Sequence, residues 1–495
     1  MNNNKINKDN LIEDTLTLLL KQSDNTKIDV IYKLVNSLST ISLQELSKKL
    51  DPLFHFDFLS KLPNELSIKI LSYTDCKTIS IVSNVSRKWH QLSLDNTLWK
   101  QLYTTKWKSL AFVKNKISQF YPYLSDIKKE LELENDSFVF QFWEVLNLLE
   151  NLRLKDYQNS FNKSFNNKKK TENENEIQKK YKEFENIPGL WRAIYYLHLK
   201  LDSNWNNKKY SIYNMVSHTD SIYCLQYNNE RIISGSRDQT IKVWDLKTNE
   251  CIKTLNGHTG SILSLQFDAN YLVTGSSDST IILWDIKSFE IVRRITGHQD
   301  SVLSVKFNKD YIVSSSKDHT IRIWDIKTGE FVRKLEGHKT VANAIQLKGD
   351  IIVSASGDRL IRAWSLSTGK LLKTFEGHTR GIACIFFDGN IIISGSSDCT
   401  LKVWDFHSNK LLFTLYGHTE LVRTIQFDGK KIVSGSYDRT IKIWDFKSKQ
   451  LLFSLDGHLS KIFCLQFSDS KIISCSSDKH IIKWDFSRDI LNIFP

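Results

Sequence analysis

No run of about 18 uncharged apolar residues occurs in the chain, so no membrane-crossing helix is expected. The first ten residues, MNNNKINKDN, lack a basic stretch followed by an apolar one, which argues against a secretory leader. Cysteine is sparse and odd in number, with seven residues and no Cys-x-x-Cys pair. A disulfide framework or a zinc site needs paired spacing, so a reducing cytoplasm or nucleus is the expected location. Signatures of catalysis are missing as well: there is no P-loop, dinucleotide-binding glycine pattern, nucleophile elbow or His-Glu-x-x-His run. No enzyme activity, cofactor or metal is therefore expected. Charge is not gathered in a tail. The net charge is +13, with 36 basic and 30 acidic residues in 213–495 and 32 and 25 elsewhere. Such a balance favours acidic or phosphorylated partners. A basic stripe interleaved with aromatics is not evident, so nucleic acid is not an expected partner despite a pI near 9.1.

What the chain does have is periodicity. Its 495 residues, 41% of them hydrophobic, suit two or more globular domains. Histidines recur at 218, 258, 298, 338, 378, 418 and 458, a constant step of 40. Glycine precedes six of them, and Ser217 the first. Tryptophans follow at 244, 284, 324, 364, 404, 444 and 484; aspartate follows each except Trp364, where Ser365 stands. Aspartates at 238, 278, 318, 358, 398, 438 and 478 keep the same step. Four residues before each stands a hydroxyl: Ser234, Thr274, Ser314, Ser354, Ser394, Ser434 and Ser474. Series locked in phase in this way are an internal repeat, not chance.

Inside one unit, SIYCLQY, RIISGS, TIKVWD and ECIKTL alternate apolar and polar residues between turn residues, as strands do. Four short strands per 40 residues resembles the WD-repeat propeller, each unit supplying one blade. The expected fold is thus multidomain: an all-α N-terminal part, then an all-β seven-bladed WD-repeat propeller. A single blade cannot bury both its faces, so the seven must close into a ring. YSIYNMV at 210–216 matches the outer strands in phase and is expected to close it, with ILNIF at 490–494 the other candidate. The resemblance implies that His, Asp, Ser/Thr and Trp form a hydrogen-bonded scaffold set, as His258, Asp278 and Trp284 would in the second blade. The serine of that set is not applicable at position 274, where the second blade has threonine. Seven copies of one set mean scaffold, since an active site does not recur seven times. Cys224, Cys384 and Cys464 share a slot held elsewhere by Ser264, Ser304, Ala344 and Thr424, which suits a small core residue better than a reactive thiol. The fourth unit departs most, with Ser365, Leu360 and Gly357, and is expected to be the least regular blade. Equal units leave no long loop, so a ligand site should be a shallow face around the axis.

Upstream, residues 59–103 read as a three- or four-helix module. Pro63 suits a first turn, Leu66, Ile70, Leu71 and Tyr73 form one apolar face, and Asp75 can cap the next helix. Val82, Val85, Trp89 and Leu92 follow at helical spacing. Leu62-Pro63, Glu65-Leu66, Ile70-Leu71, Val85, Trp89 and Leu98-Trp99 make this segment similar to an F-box. That resemblance implies docking on a small adaptor, and through it on cullin and RING subunits, with Leu62, Pro63, Leu66, Ile70 and Leu71 in the contact. A plain bundle core accounts for the same apolar spacing.

Ile28, Ile31, Val35 and Leu38 make a helical stripe, and Ser42 with Glu45 can form a capping box. The segment resembles the dimerisation region before some F-boxes; an ordinary packing helix fits equally. The expected organisation is a disordered tail 1–10, helical segment 11–56, F-box 57–103, helical linker 104–155, flexible Asn/Lys/Glu-rich insert 156–186, lead-in helix 187–208 and propeller 209–495.

Receptors that join an F-box to WD repeats grip phosphorylated segments on the narrow propeller face with arginines, whose forked guanidinium matches phosphate oxygens. The places to search lie five residues after each repeat His and on either side of each repeat Asp. Blade six offers Arg423, Tyr437 and Arg439, blade one Tyr223 and Arg237, blade three Lys317 and blade four Arg359, with Arg380 at the rim. Arg423 and Arg237 match phosphate-gripping offsets by that resemblance, although blade seven separates them. The implied function is substrate recognition for a cullin-type (SCF) ubiquitin ligase, the F-box holding the adaptor and the propeller holding a phosphorylated substrate. The alternatives are a scaffold without a degradative role and an RNA-associated propeller, the latter testable by its salt dependence.

Overall fold

The computed structural model describes residues 57–107 and 190–487 throughout, with scattered positions between 17 and 48. The tail 1–10, the stripe of Ile28, Ile31, Val35 and Leu38, most of the linker, the insert 156–186 and the segment 490–494 lie outside the described residues. At Ser42 the structure differs from expectation. Residues 41–45 are already helical, and Ser39 is the cap, its Oγ accepting from the Ser42 N–H at 3.3 Å. The chain divides into two compact units, Met1–Lys106 and Trp107–Pro495.

Within the first unit, the stretch read from the sequence as three or four helices holds five helical segments: α1 (Phe58–Lys61), α2 (Asn64–Leu71), α3 (Cys76–Val82), α4 (Arg87–Ser93) and α5 (Asn96–Trp107). Polar side chains set their starts. The Asp75 carboxylate accepts from the Thr78 N–H at 2.8 Å, and Ser86 Oγ accepts from Trp89 N–H at 3.3 Å. Leu59, Ile68, Leu71, Ile79, Leu92, Leu98, Trp99 and Tyr103 form the core. Two indoles are tied down inside this small unit, Trp89 Nε1 donating to Asp57 at 2.6 Å and Trp99 Nε1 to the Ser93 carbonyl at 2.6 Å.

The second unit begins, among the described residues, with α6 (Leu190–Asn206), followed by 28 strands in seven four-stranded antiparallel sheets. Blade one is β2 (Ile222–Tyr227), β3 (Arg231–Ser236), β4 (Ile241–Asp245) and β5 (Cys251–Leu255), matching the four segments read from the sequence. The pattern repeats to blade seven, whose β26 (Ile462–Phe467), β27 (Lys471–Ser476) and β28 (His480–Asp485) are completed by β1 (Ser211–Val216). Ser211 pairs with Asp485 and Val216 with His480, so the N-terminal segment closes the ring and removes the open edge. Inner strands meet in sequence around the axis, β26 meeting β2 again.

Burial follows this order. Middle strands such as β3 are buried on both faces, and outer strands such as β5 face solvent for most of their length. The core lies between blades. One cluster joins Ile233, Val243 and Leu255 of blade one to Ile262, Phe267 and Trp284 of blade two, and the other interfaces repeat it. Close approach dictates small residues here: a Cβ on Gly275 would lie 2.7 Å from Val302 Cγ1 and 2.8 Å from Val305 Cγ1. Gly275→Val should cost about 1–3 kcal/mol of propeller stability, read as a lowered denaturation midpoint.

α6 is anchored on the propeller. Trp205 stacks on Phe486 with ring centroids 3.8 Å apart and donates Nε1 to the Asp469 carbonyl at 2.5 Å. Asn204 Nδ2 donates to the Phe486 carbonyl at 2.7 Å. The last turn of the helix is therefore tied to blade seven.

Candidate functional site

Each blade is braced by the expected set, and its geometry fixes the protonation pattern. His Nδ1 lies 2.7–2.9 Å from the Asp carboxylate and His Nε2 lies 2.8 Å from the Ser or Thr hydroxyl in all seven blades. Trp Nε1 donates to the same hydroxyl at 2.8–3.1 Å. A carboxylate only accepts, so Nδ1 carries the proton and Nε2 accepts from the hydroxyl, which in turn accepts from the indole. Position 274 is the one place in the series without a serine, and Thr274 fills it with no loss of the set. Its Oγ1 lies 2.8 Å from His258 Nε2 and accepts from Trp284 Nε1 at 3.0 Å, because threonine carries the same hydroxyl on the same carbon and adds only a methyl. Desolvation lowers the pKa of His298, His338, His378 and His418 despite the carboxylate beside each. Desolvation would raise the aspartates, but hydrogen bonds from Thr400 and His378 pull Asp398 down to about 2, and those from His458 do the same for Asp478. A neutral imidazole wedged in this way is a strut, not a base.

Blade four, expected to be irregular, keeps the whole set, with His338, Asp358, Ser354 and Trp364 at 2.8–2.9 Å. The missing Trp-Asp carboxylate is replaced from another strand connection: Asp350 accepts from Ser365 Oγ at 2.9 Å and from Ser367 N–H at 2.8 Å. In other blades the aspartate after Trp makes these turn bonds, as Asp325 does to Lys327 and Thr328, both at 2.8 Å.

The innermost strand of every blade carries a register shift at the residue five after the histidine, as between Ile222 and Cys224 and between Val422 and Thr424. A bulge turns an unpaired residue out of the ladder. Here it turns Tyr223, Arg423 and Phe463, among others, toward the axis, where they line a channel with a cavity of about 320 Å³. A cavity on the axis is thus present in addition to the shallow face expected from the equal repeat lengths.

The structure brings several of the named residues together. Phe463 packs edge-on against Tyr223 at 4.9 Å and Tyr437 at 5.6 Å, bridging blades one and six, and Lys461 sits over Tyr437 at 4.9 Å. Neither Phe463 nor Lys461 stands among the residues expected at the site; the bulge position identifies the first. Arg423 reaches back to donate Nη1 to the Ala383 carbonyl at 3.1 Å. Arg237, Lys317, Arg359, Arg380 and Arg439 are exposed around the rim. They do not form a bare basic patch. Arg237 Nε lies 3.7 Å from the Asp220 carboxylate, and Lys317 is among the charges acting on Asp300. Arg359 and Arg439 sit at positive φ, 70° and 71°, in the turn that follows each repeat aspartate.

The helical unit offers a second surface. Leu66, Ile70 and Tyr73 are 52%, 40% and 79% exposed, and Ile81 and Val85 are 70% and 59% exposed. Leu66, Ile70 and Tyr73 recur at helical spacing on the outward side, whereas Ile68 and Leu71 face the core. The apolar face drawn from the sequence is therefore split. Leu62 is half-buried, Pro63 is exposed, and Leu71, 2% exposed, belongs to the unit's own core. These five large apolar residues stand in solvent beside a filled core, the kind of exposed apolar surface that marks interaction sites in soluble proteins.

These two parts define a class of protein, a repeat-built seven-bladed propeller preceded in the chain by a small helical unit. The WD domain, G-beta repeat family matches seven segments, 209–245, 249–285, 289–325, 329–365, 369–405, 409–445 and 449–485, and the F-box-like family matches 59–105. The chain belongs to the WD-repeat family and carries an F-box-like module at its N-terminal side. It is 30% identical to the F-box/WD repeat-containing protein pof1 of Schizosaccharomyces pombe, over 45% of this chain and 37% of that protein. At 27% identity it resembles the probable E3 ubiquitin ligase complex SCF subunit sconB of Arthroderma otae, over 43% of this chain and 27% of that protein. The probable E3 ubiquitin ligase complex SCF subunit scon-2 of Neurospora crassa is 25% identical, over 46% of this chain and 36% of that one. The chain thus matches between about a quarter and two fifths of the length of these relatives. Among the described residues no helix is long and apolar enough to cross a membrane, and no cluster of His, Cys, Asp or Glu is arranged to hold a metal ion.

Proposed function

We propose that this chain is the non-catalytic substrate-recognition subunit of an SCF-type ubiquitin ligase. The observation that carries the reading is the pairing of an F-box-like unit, whose Leu66, Ile70, Tyr73, Ile81 and Val85 stand in solvent, with a propeller whose bulge residues line its axis. The helical unit docks on the F-box-binding adaptor, and through it on cullin and RING subunits, with Leu62, Pro63, Leu66 and Ile70 in the contact and Leu71 supporting it from behind. The propeller holds a substrate, and transfer of ubiquitin to it follows from proximity. Homodimerisation through residues 11–56 and a location in cytoplasm or nucleus belong to the same reading.

The substrate segment is phosphorylated in this reading. Arg423 and Arg237 supply guanidinium donors, Tyr223 and Tyr437 with Phe463 give an aromatic wall, and Arg439, Lys317, Arg359 and Arg380 surround it. Arg423 should matter more than Arg237, because Asp220 already sits beside Arg237. Titration of the full chain with an acidic phosphoserine peptide tests this. Arg423→Ala should weaken binding by roughly tenfold to a hundredfold, the scale of a charge-assisted hydrogen bond, and Arg237→Ala by less. Equal binding of phosphorylated and unphosphorylated peptide would remove the phosphate from the proposal. Adaptor and cullin absent from the purified complex would favour a scaffold without a degradative role.

A further inference from the structure

Three residues beyond each bulge, a second position faces the channel. Five blades place glutamine there: Gln226, Gln266, Gln346, Gln426 and Gln466. All five bridge one blade to the next, Gln346 by donating Nε2 to the Ile385 carbonyl at 3.1 Å and the other four by accepting. Gln226 Oε1 accepts from Phe267 N–H at 2.7 Å, Gln266 from Phe307 at 2.9 Å, Gln426 from Phe467 at 3.0 Å and Gln466 from Tyr227 at 2.6 Å. Phe386 and Lys306 take the other two places. A lysine has donors only and cannot repeat the accepting bond of those four.

Lys306 therefore forgoes a structural bond that its position supplies elsewhere. Its ammonium makes no hydrogen bond or ion pair among the described residues, and burial lowers its pKa. Lys306 is half-buried, and it lines the channel. No aspartate or glutamate is among the described residues lining the channel. Arg423, the other channel cation, spends one N–H on the Ala383 carbonyl and keeps further donors for a ligand. Lys306 of blade three and Arg423 of blade six line the same cavity. Burial raises the Cys224 thiol, and Arg423 and Lys306 both pull it back; Cys464, held low first by its Cys475 hydrogen bond, feels the same two charges.

We propose that the axial channel is a binding site for a small free phosphate anion of the pyrophosphate class, clamped between the Lys306 ammonium and the Arg423 guanidinium. The cavity, about 320 Å³, has room for such an anion. The positive charge inside it has no counter-charge in the wall. The site shares Arg423 with the proposed substrate face and differs from it by Lys306, and it does not depend on the ligase reading.

Calorimetric titration of the full chain with inorganic pyrophosphate tests the proposal. Wild type should bind saturably, and Lys306→Gln should bind about tenfold more weakly or worse, the factor expected for about 1.4 kcal/mol. This variant restores the residue that five blades already carry, so its denaturation midpoint should not fall. Lys287→Gln removes one exposed lysine outside the channel and should bind as wild type does. Absence of saturable binding, or equal affinity in Lys306→Gln, overturns the proposal. Equal weakening in Lys287→Gln also overturns it, since diffuse attraction would then explain the binding. Phosphopeptide binding is a separate measurement, and its failure would leave this result standing.

Discussion

Changing both Leu66 and Ile70 to glutamate should abolish capture of the F-box-binding adaptor while the helical unit stays folded. Both side chains are exposed, so the unit's core of Leu59, Ile68, Leu71, Ile79 and Leu98 does not depend on them. Burying a leucine or isoleucine in an interface is worth about 1.5–3 kcal/mol each. Losing two of them, and forcing two carboxylates against an apolar partner, should weaken association by more than about a hundredfold. The contrast is Leu71→Ala. That side chain is buried, and its truncation should cost about 2–5 kcal/mol of the unit's stability. Adaptor pull-down beside a helical melting curve separates the two. If the double glutamate variant still captured adaptor with unchanged affinity, the docking surface would lie elsewhere.

Removing one strut from a blade should be the most destabilising single change in the propeller. The Asp438 carboxylate accepts from His418 Nδ1 at 2.7 Å, Thr440 Oγ1 at 2.7 Å, Thr440 N–H at 2.9 Å and Thr419 N–H at 3.1 Å. Asp438→Ala strands the buried imidazole and its neighbours, at a cost of about 3–5 kcal/mol by denaturant titration. Asp358→Ala should cost less, because Leu360 brings no hydroxyl to that carboxylate. The same struts set the acid limit. His298, His338, His378 and His418 have folded pKa values below the ordinary imidazole value, so the unfolded chain binds more protons. Their contribution is complete above about pH 6.5 and is lost as pH falls through the lower folded values. Asp398 and Asp478, held near 2, add a second loss as pH falls below about 4 toward that value. The denaturation midpoint should be flat above neutrality and decline on acidification. A midpoint unchanged from pH 7 to 5 would mean the histidines are not held neutral.

How much of this was written in the residues differs between the two units. In the propeller, the His, Asp, Ser/Thr and Trp series named the struts, because they repeat in one local pattern, whereas YSIYNMV was the favoured of two candidate closing strands until its pairing with β28 decided it. Asp350 standing in for the aspartate missing after Trp364 was not legible, since the substitute lies on a different strand connection. In the helical unit, apolar spacing found α2 and α3 but could not tell inside from outside. Leu66 and Leu71 look alike in sequence, and only packing, with α4 against α2, leaves the first in water and the second in the core. At the rim, charge counting found Arg237 but not its neighbour Asp220.

Sequence by itself determined what recurs: the number of blades, their strands and their buried hydrogen-bond sets, because each is a short-range consequence of one 40-residue pattern. Tertiary structure alone decided what happens where blades or helices meet. Bulges swing Tyr223, Arg423 and Phe463 to the axis, two cations from distant blades come to share a channel without a carboxylate, and one side of a short helix is left facing solvent. Those outcomes depend on closure and packing, which join residues far apart in the chain and leave no periodic trace in it.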